Sequence, residues 1–207
     1  LLPVSPPPCP RSGVGWRSRP PGVTSTMFHS SDSLRLSRLV RTPRLLLLPV
    51  GWENLPELTA LKADERVFAI MLHGVRSPER AREEMEDDID FWTVRGYGTW
   101  CVHRQEDEAF LGIAGLMERP DGRGVALRFA LWPECRGHGY AREAAAAALA
   151  FGHRAGLERI IAVARETNQG SRAVLADIGM VPADSFMNKG HRMMVYESRR
   201  RGEQKPV

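Results

Sequence analysis

Cysteine is scarce in this chain. Its three cysteines, Cys9, Cys101 and Cys135, are scattered. They show neither disulfide nor metal-ligand spacing, so no stapled secreted fold and no metal site is expected, and a reducing cytoplasm fits. Long apolar runs are missing too. A membrane helix needs about 20 consecutive apolar residues, and the run Leu45-Leu46-Leu47-Leu48 is only strand-sized. No membrane partner is expected. The opening Leu1-Leu2-Pro3-Val4 has no basic segment ahead of an apolar one, so it does not read as a secretory signal. Two familiar phosphate motifs are also absent. There is no Gly-x-x-x-x-Gly-Lys-Ser/Thr, and Gly137-His138-Gly139 does not extend to Gly-x-Gly-x-x-Gly.

Apolar residues make up 43% of the 207, enough for one ordinary domain with a buried core and tails. The net charge of +4 is unevenly spread. Residues 1–44 hold seven Arg and one Asp, and residues 199–207 hold three Arg, one Lys and one Glu. Those segments carry +6 and +3, so the body at 45–198 is about −5. The basic character belongs to the tails. It suits solubility better than a nucleic-acid partner. Residues 1–38 are rich in Pro, Ser, Arg and Gly without an apolar period, and are expected to be disordered. One reading has translation begin at Met27. A folded domain is expected at 39–198, with a basic tail at 199–207.

Within the domain, Arg41–Pro49 reads as a first strand. Two helices are expected, from Trp52 to about Leu61 and from Ser77-Pro78 to about Arg95. Ser77 is a suitable N-cap and Pro78 suits the first helical position. The second helix carries Glu83, Glu84, Glu86, Asp87, Asp88 and Asp90, which read as a solvated face or as a wall attracting a cationic amine. Strands follow at Thr99–Arg104, Phe110–Leu116 and Val125–Leu131. After a turn comes a helix with small residues at Ala141, Ala145, Ala148 and Gly152, a face that lies close on a sheet. A strand at Arg159–Ala164, a helix from Gly170 to Ile178 and a hairpin at Pro182–Asn188 and His191–Glu197 complete the order. The pattern is a mixed α/β sheet with helices on both faces.

The turn at Trp132–Ala141 joins the central strand to the small-residue helix. Such a turn presents successive backbone N–H groups at the positive end of a helix, where an anion can sit. Glycines there let a phosphate approach the backbone. The residues Arg136-x-x-Gly139-x-Ala141 resemble the acetyl-CoA pyrophosphate loop of the GNAT N-acetyltransferases, Gln/Arg-x-x-Gly-x-Gly/Ala. Three further stretches are similar to that family in the same order. Thr42-Pro43-Arg44-Leu45-x-Leu47 resembles the opening strand of its ribosomal-protein N-terminal acetyltransferase branch. Phe110–Gly115 resembles a strand with two spaced glycines, and Asn168-x-x-Ser171 with Gly179 resembles the second motif.

The resemblance implies a GNAT fold, with a mostly antiparallel sheet and a splayed central strand pair. It implies acetyl transfer from acetyl-CoA to a primary amine by direct attack, in a monomer or homodimer without a metal. Phe129, Ala130 and Leu131 would pair with the pantetheine arm and thioester carbonyl. Arg136, Gly137, His138, Gly139, Tyr140, Ala141 and Arg142 would hold the pyrophosphate. Asn168 would bond to the arm, and Ser171 would lie near the sulfur. Asn168 also reads as a plain helix cap.

The chain departs from the family at its acid and base positions. The frequent central-strand Glu is Ala126, and Arg128 stands at a frequent Gly. An occasional base position is Val163, and the usual Tyr is Leu175. Ser171 is then the expected proton donor. Glu118, or a water chain, is the expected base. An acyl route through Cys135 is not expected, since nothing pairs that thiol with a base. The competing reading is a non-catalytic acyl-CoA-binding domain.

Overall fold

The computed structural model describes residues 37–71 and 73–200. The readings for residues 1–36 and 201–207, including translation from Met27, lie outside the described residues.

The first strand divides in two, β1 (Val40–Arg41) and β2 (Leu45–Pro49). Pro43 has no N–H for a ladder, and Thr42 N–H turns back to Leu45 O at 3.0 Å. In β2, Leu45 and Leu47 are fully buried. A 3₁₀ turn (Trp52–Asn54) leads to α1 (Leu55–Ala63). Next comes α2 (Glu65–Phe68), which has no counterpart in the sequence reading. Asp64 caps it by accepting from Arg66 N–H at 2.8 Å. Then α3 (Pro78–Arg95) begins at Ser77, whose Oγ accepts from Arg80 N–H at 3.2 Å. It stops at Gly96, which takes φ 72°.

The remaining elements are β3 (Thr99–Arg104), β4 (Phe110–Glu118), β5 (Val125–Leu131), α4 (Tyr140–Arg154), β6 (Arg159–Arg165), α5 (Gln169–Asp177), β7 (Val181–Asn188) and β8 (His191–Arg199). They form one sheet in the order β1-β2-β3-β4-β5-β6-β8-β7. Every neighbouring pair is antiparallel except β5 and β6. The expected mostly antiparallel sheet is therefore present.

Small residues let α4 lie close on the sheet. Ala144, Ala145 and Ala148 are fully buried. A Cβ at Gly152 would come within 2.5 Å of Leu116 Cδ1 on β4 and 2.7 Å of Ile160 Cδ1 on β6. Between the layers, Trp100 packs edge-on against Trp92 and Phe151, with centroids 4.7 and 5.0 Å away.

Arg128 explains a second glycine. In the sheet register it stands opposite Gly115, which stands opposite Thr99. With no side chain at Gly115, Arg128 reaches across β4. Its Nη2 donates to Thr99 Oγ1 at 2.7 Å and to Asp88 Oδ1 at 3.0 Å. Asp88 is buried on α3, so this acidic residue faces inward.

Glu84 turns inward too. Its carboxylate accepts from the buried Lys62 Nζ at 2.9 Å and from Arg76 Nε at 2.5 Å. Burial opposes its ionisation, but the bonds and charges of Lys62 and Arg76 prevail and hold it below the ordinary carboxyl range. A carboxyl depressed by folding stabilises the fold above its unfolded pKa, near 4.5, and loses that contribution as pH falls through the folded value. Thermal melting against pH should show it. Glu84→Gln melts below wild type at neutral pH, and the gap narrows as pH drops below that value. A gap that stays constant would contradict this.

Candidate active site

The site is built where β5 ends. Pro133 cannot extend the ladder, and a short 3₁₀ turn (Pro133–Cys135) leads into the loop. Gly137 and Gly139 take φ 80° and 77°, the left-handed region open to glycine. Gly139 is the N-cap of α4.

This backbone path leaves donors unused. Cys135 N–H and Arg136 N–H close on Trp132 O and Pro133 O, and the next closed amide is Glu143, on Gly139 O. Between them, six consecutive N–H groups, Gly137 to Arg142, have no acceptor among the described residues. A helix start leaves its first few N–H groups free in any protein. Here Gly137 and His138 extend the row back into the loop. The α4 dipole adds positive potential at the same place.

Side chains surround this row. Arg136 is exposed and donates to Arg66 O at 3.2 Å. The His138 ring stacks on Tyr140 at 5.6 Å, and its Nδ1 lies 2.9 Å from Arg136 O. Arg142 meets Asp177 at 3.8 Å on the exposed surface. From β2, the Arg44 guanidinium lies over the Tyr140 ring at 4.8 Å. Its Nε donates to Glu143 Oε2 at 2.7 Å and its Nη1 to His138 O at 2.9 Å. Thr42 Oγ1 donates to Glu143 Oε1 at 2.6 Å, and Arg44 N–H to the same oxygen at 2.9 Å. Burial works against the Glu143 charge, yet these donors outweigh it and hold the carboxyl low.

Beside the loop, the sheet opens. The register between β5 and β6 is a single pair, Ala126↔Ile161. Beyond it, Phe129, Ala130 and Leu131 pair with β4 through Ala114, Ile113 and Gly112. No register pair joins them to β6. The expected splay is thus present, and it widens toward the loop. Gly112, at φ 144°, sits against this stretch, where a Cβ would fall 2.2 Å from Ala130 O.

On the far side, Asn168 caps α5. Its Oδ1 accepts from Ser171 N–H at 3.1 Å, so the cap joins the two motif residues directly. Both are half-buried. Tyr196 of β8 brings a phenol to the same helix, where its hydroxyl accepts from Arg172 Nε at 3.0 Å.

A family profile described as the Acetyltransferase (GNAT) domain matches residues 44–181. The chain belongs to the GNAT acetyltransferase family. Among curated proteins, this acetyltransferase is 27% identical over 175 residues to FsC-acetyl coenzyme A-N(2)-transacetylase of Aspergillus fumigatus, covering 76% of this chain and 71% of that protein. Its fold resembles a GNAT-family acetyltransferase from Bacillus anthracis, with TM-score 0.68 and 21% identity over 78% of this chain and 98% of that one. It also resembles a ribosomal alpha-N-protein acetyltransferase in complex with coenzyme A, with TM-score 0.65 and 18% identity over 78% of this chain and 97% of that one.

In this acetyltransferase the loop residues and the open stretch of β5 lie end to end. Glu118 is elsewhere. It pairs with Val125 at the opposite end of β5 from Leu131. That end is roughly 20 Å from Leu131 at about 3.3 Å per residue. Its carboxylate meets Arg95 Nη2 at 2.9 Å, and both side chains are about half exposed. Ala126, at the position of the frequent central-strand Glu, and Val163, at that of the occasional base, join Ile161, Val195 and Phe186 in a small apolar cluster. Leu175 is buried in the main core. Cys135 is buried. Of the acidic residues on α3, Glu83, Glu86, Asp87 and Asp90 are exposed, while Glu84 and Asp88 neutralise internal cations. That supports the solvated-face reading over the amine wall. The sequence reading missed the grip of Thr42 and Arg44 on Glu143. The signal was the Thr-Pro-Arg opening itself, read only as a strand.

Proposed function

We propose that this enzyme moves the acetyl group of acetyl-CoA to a primary amine, a protein N-terminus or a small amine, by direct attack. The observation that carries the reading is the row of six N–H groups at Gly137–Arg142, without acceptors among the described residues, beside the opened edge of β5. An anion's oxygens fit the row, and an extended amide arm fits the edge. The relative solved with coenzyme A shares this fold. On this reading Arg136, Gly137, His138, Gly139, Tyr140, Ala141 and Arg142 hold the pyrophosphate. Phe129, Ala130 and Leu131 pair with the arm, and Asn168 faces it across the splay.

The amine nitrogen forms a bond to the acetyl carbon, and the carbon–sulfur bond breaks. Backbone N–H groups along β5 stabilise the charge on the carbonyl oxygen. The amine gives up a proton, and the thiolate gains one. Ser171 is the proposed donor to sulfur. Its Oγ makes no hydrogen bond among the described residues, so it is uncommitted. Of the two expected bases, Glu118 and water, water is the one we propose for the amine, because Glu118 stands at the far end of β5 and is paired with Arg95. With the acid and base groups of many relatives missing, positioning of the two reactants supplies much of the rate.

The test is release of free CoA from acetyl-CoA with N-terminal peptides, polyamines and aminoglycosides as acceptors. Amine-dependent release supports the transfer. Binding of acetyl-CoA without release on any acceptor favours the non-catalytic reading, for which the apolar cluster at Ala126 and Val163 is the supporting feature. For the donor role, Ser171→Ala should lower kcat by roughly 100-fold, the lower end for general acid catalysis, while the Kd for CoA stays the same. An unchanged kcat would remove Ser171 from the chemistry.

A further inference from the structure

The grip of β2 on α4 leaves one nitrogen of Arg44 unaccounted for. Nε is committed to Glu143 and Nη1 to His138 O. Nη2 has no acceptor among the described residues. It lies 3.4 Å from the point where a Cβ on Gly139 would stand. Arg142 Nη2 lies 4.0 Å from the same point. Two guanidinium groups thus bring Nη2 atoms with no acceptor among the described residues within 4.0 Å of one spot beside the loop glycine. The two positive charges repel unless anions offset them, and Asp177 meets Arg142 only at 3.8 Å, through Nη1, on the exposed surface. The carboxylate of Glu143 balances Arg44 from the other side, but its oxygens are taken up by Thr42 and by Arg44 Nε and N–H.

We infer that Arg44 is a coenzyme-binding residue, contributed by the opening strand, which grips a phosphate of the coenzyme together with Arg142 over Gly139. The inference rests on the reading of the loop as a CoA site and adds a residue outside the loop to it. Thr42 and Glu143 are positioning residues. Thr42 Oγ1 and Arg44 N–H hold the Glu143 carboxylate, which in turn holds the guanidinium through Nε before the phosphate arrives, so little side-chain freedom is lost on binding. Stacking on Tyr140 restrains the plane further. The Thr42-x-Arg44 opening thus serves the donor site as well as the sheet.

The test is calorimetric binding of CoA and of pantetheine, which lacks the nucleotide and its phosphates, to wild type, Arg44→Gln and Arg44→Lys, with melting curves as fold controls. A lost charge-assisted hydrogen bond to phosphate corresponds to a loss of roughly tenfold or more. Arg44→Gln should raise the Kd for CoA by that factor while the Kd for pantetheine changes far less. Arg44→Lys, which keeps the charge without the fork, should fall between. An equal loss for both ligands would show that Arg44 only shapes the loop, and would overturn the inference. So would an unaltered Kd for CoA. If wild type binds no CoA, the loop assignment itself fails, a result distinct from either.

Discussion

Replacing Gly139 by valine should abolish coenzyme binding in a protein that still folds. Gly139 holds φ 77° as the N-cap of α4, a conformation that costs an ordinary residue about 1–2 kcal/mol. A β-branched residue costs more than alanine there. Against a domain stability of about 5–15 kcal/mol, the strain is tolerable. Binding is another matter. The new side chain would project toward the spot where Arg44 Nη2 and Arg142 Nη2 converge, 3.4 and 4.0 Å from its Cβ. It would cover the N–H row and displace the anion. Calorimetry should show the Kd for CoA rising by 100-fold or more, on the order of 3 kcal/mol, with a cooperative melt retained. Gly139→Ala carries most of the strain and less of the bulk, so it should lose less affinity. Equal affinity for Gly139→Val and wild type would overturn the loop assignment.

Breaking the Asp88–Arg128 pair should be the most destabilising of the substitutions considered. Asp88 is 3% exposed and takes hydrogen bonds from Arg128 Nη2 and Thr99 Oγ1. Arg128 Nε is itself buried without an acceptor among the described residues, so the guanidinium depends on its Nη2 contacts. Asp88→Ala leaves that charge stranded under α3. Removing one partner of a buried pair costs about 3–5 kcal/mol. Water reaches part of the Arg128 side chain, which is 30% exposed, so the low end applies. A loss of about 3 kcal/mol lowers Tm by roughly 6–12 °C in a domain of this size. Asp88→Ala combined with Arg128→Met removes both charges and should recover much of the loss. If the double variant is no more stable than the single one, the stranded charge is not the cause.

The loop was legible because its chemistry is local. Only glycine readily takes the angles at 137 and 139, and the small residues of α4 repeat at helical spacing. Ser77-Pro78 announced α3 for the same reason. The splay at Ala126↔Ile161 is not local. Nothing in the residues of β5 and β6 says that they part, and that expectation came through family resemblance. The four-residue α2 is too short to show an apolar period, so Asp64 was its sole signal. Contacts that close across the topology were out of reach. Thr42 and Glu143 lie 101 residues apart. Arg128 looked like a departure at a frequent glycine, and its reason appears only when Gly115 and Asp88 stand beside it. Glu118 read as a candidate base, since α3 must fold back before Arg95 reaches it.

The most direct test of the account is a CoA titration followed by backbone amide NMR. The largest shifts should fall on the amides of Gly137 to Arg142, with a second set at Phe129–Leu131 and around Asn168 and Ser171. Saturable binding that leaves the Gly137–Arg142 amides unmoved, with shifts elsewhere on the sheet, would contradict it.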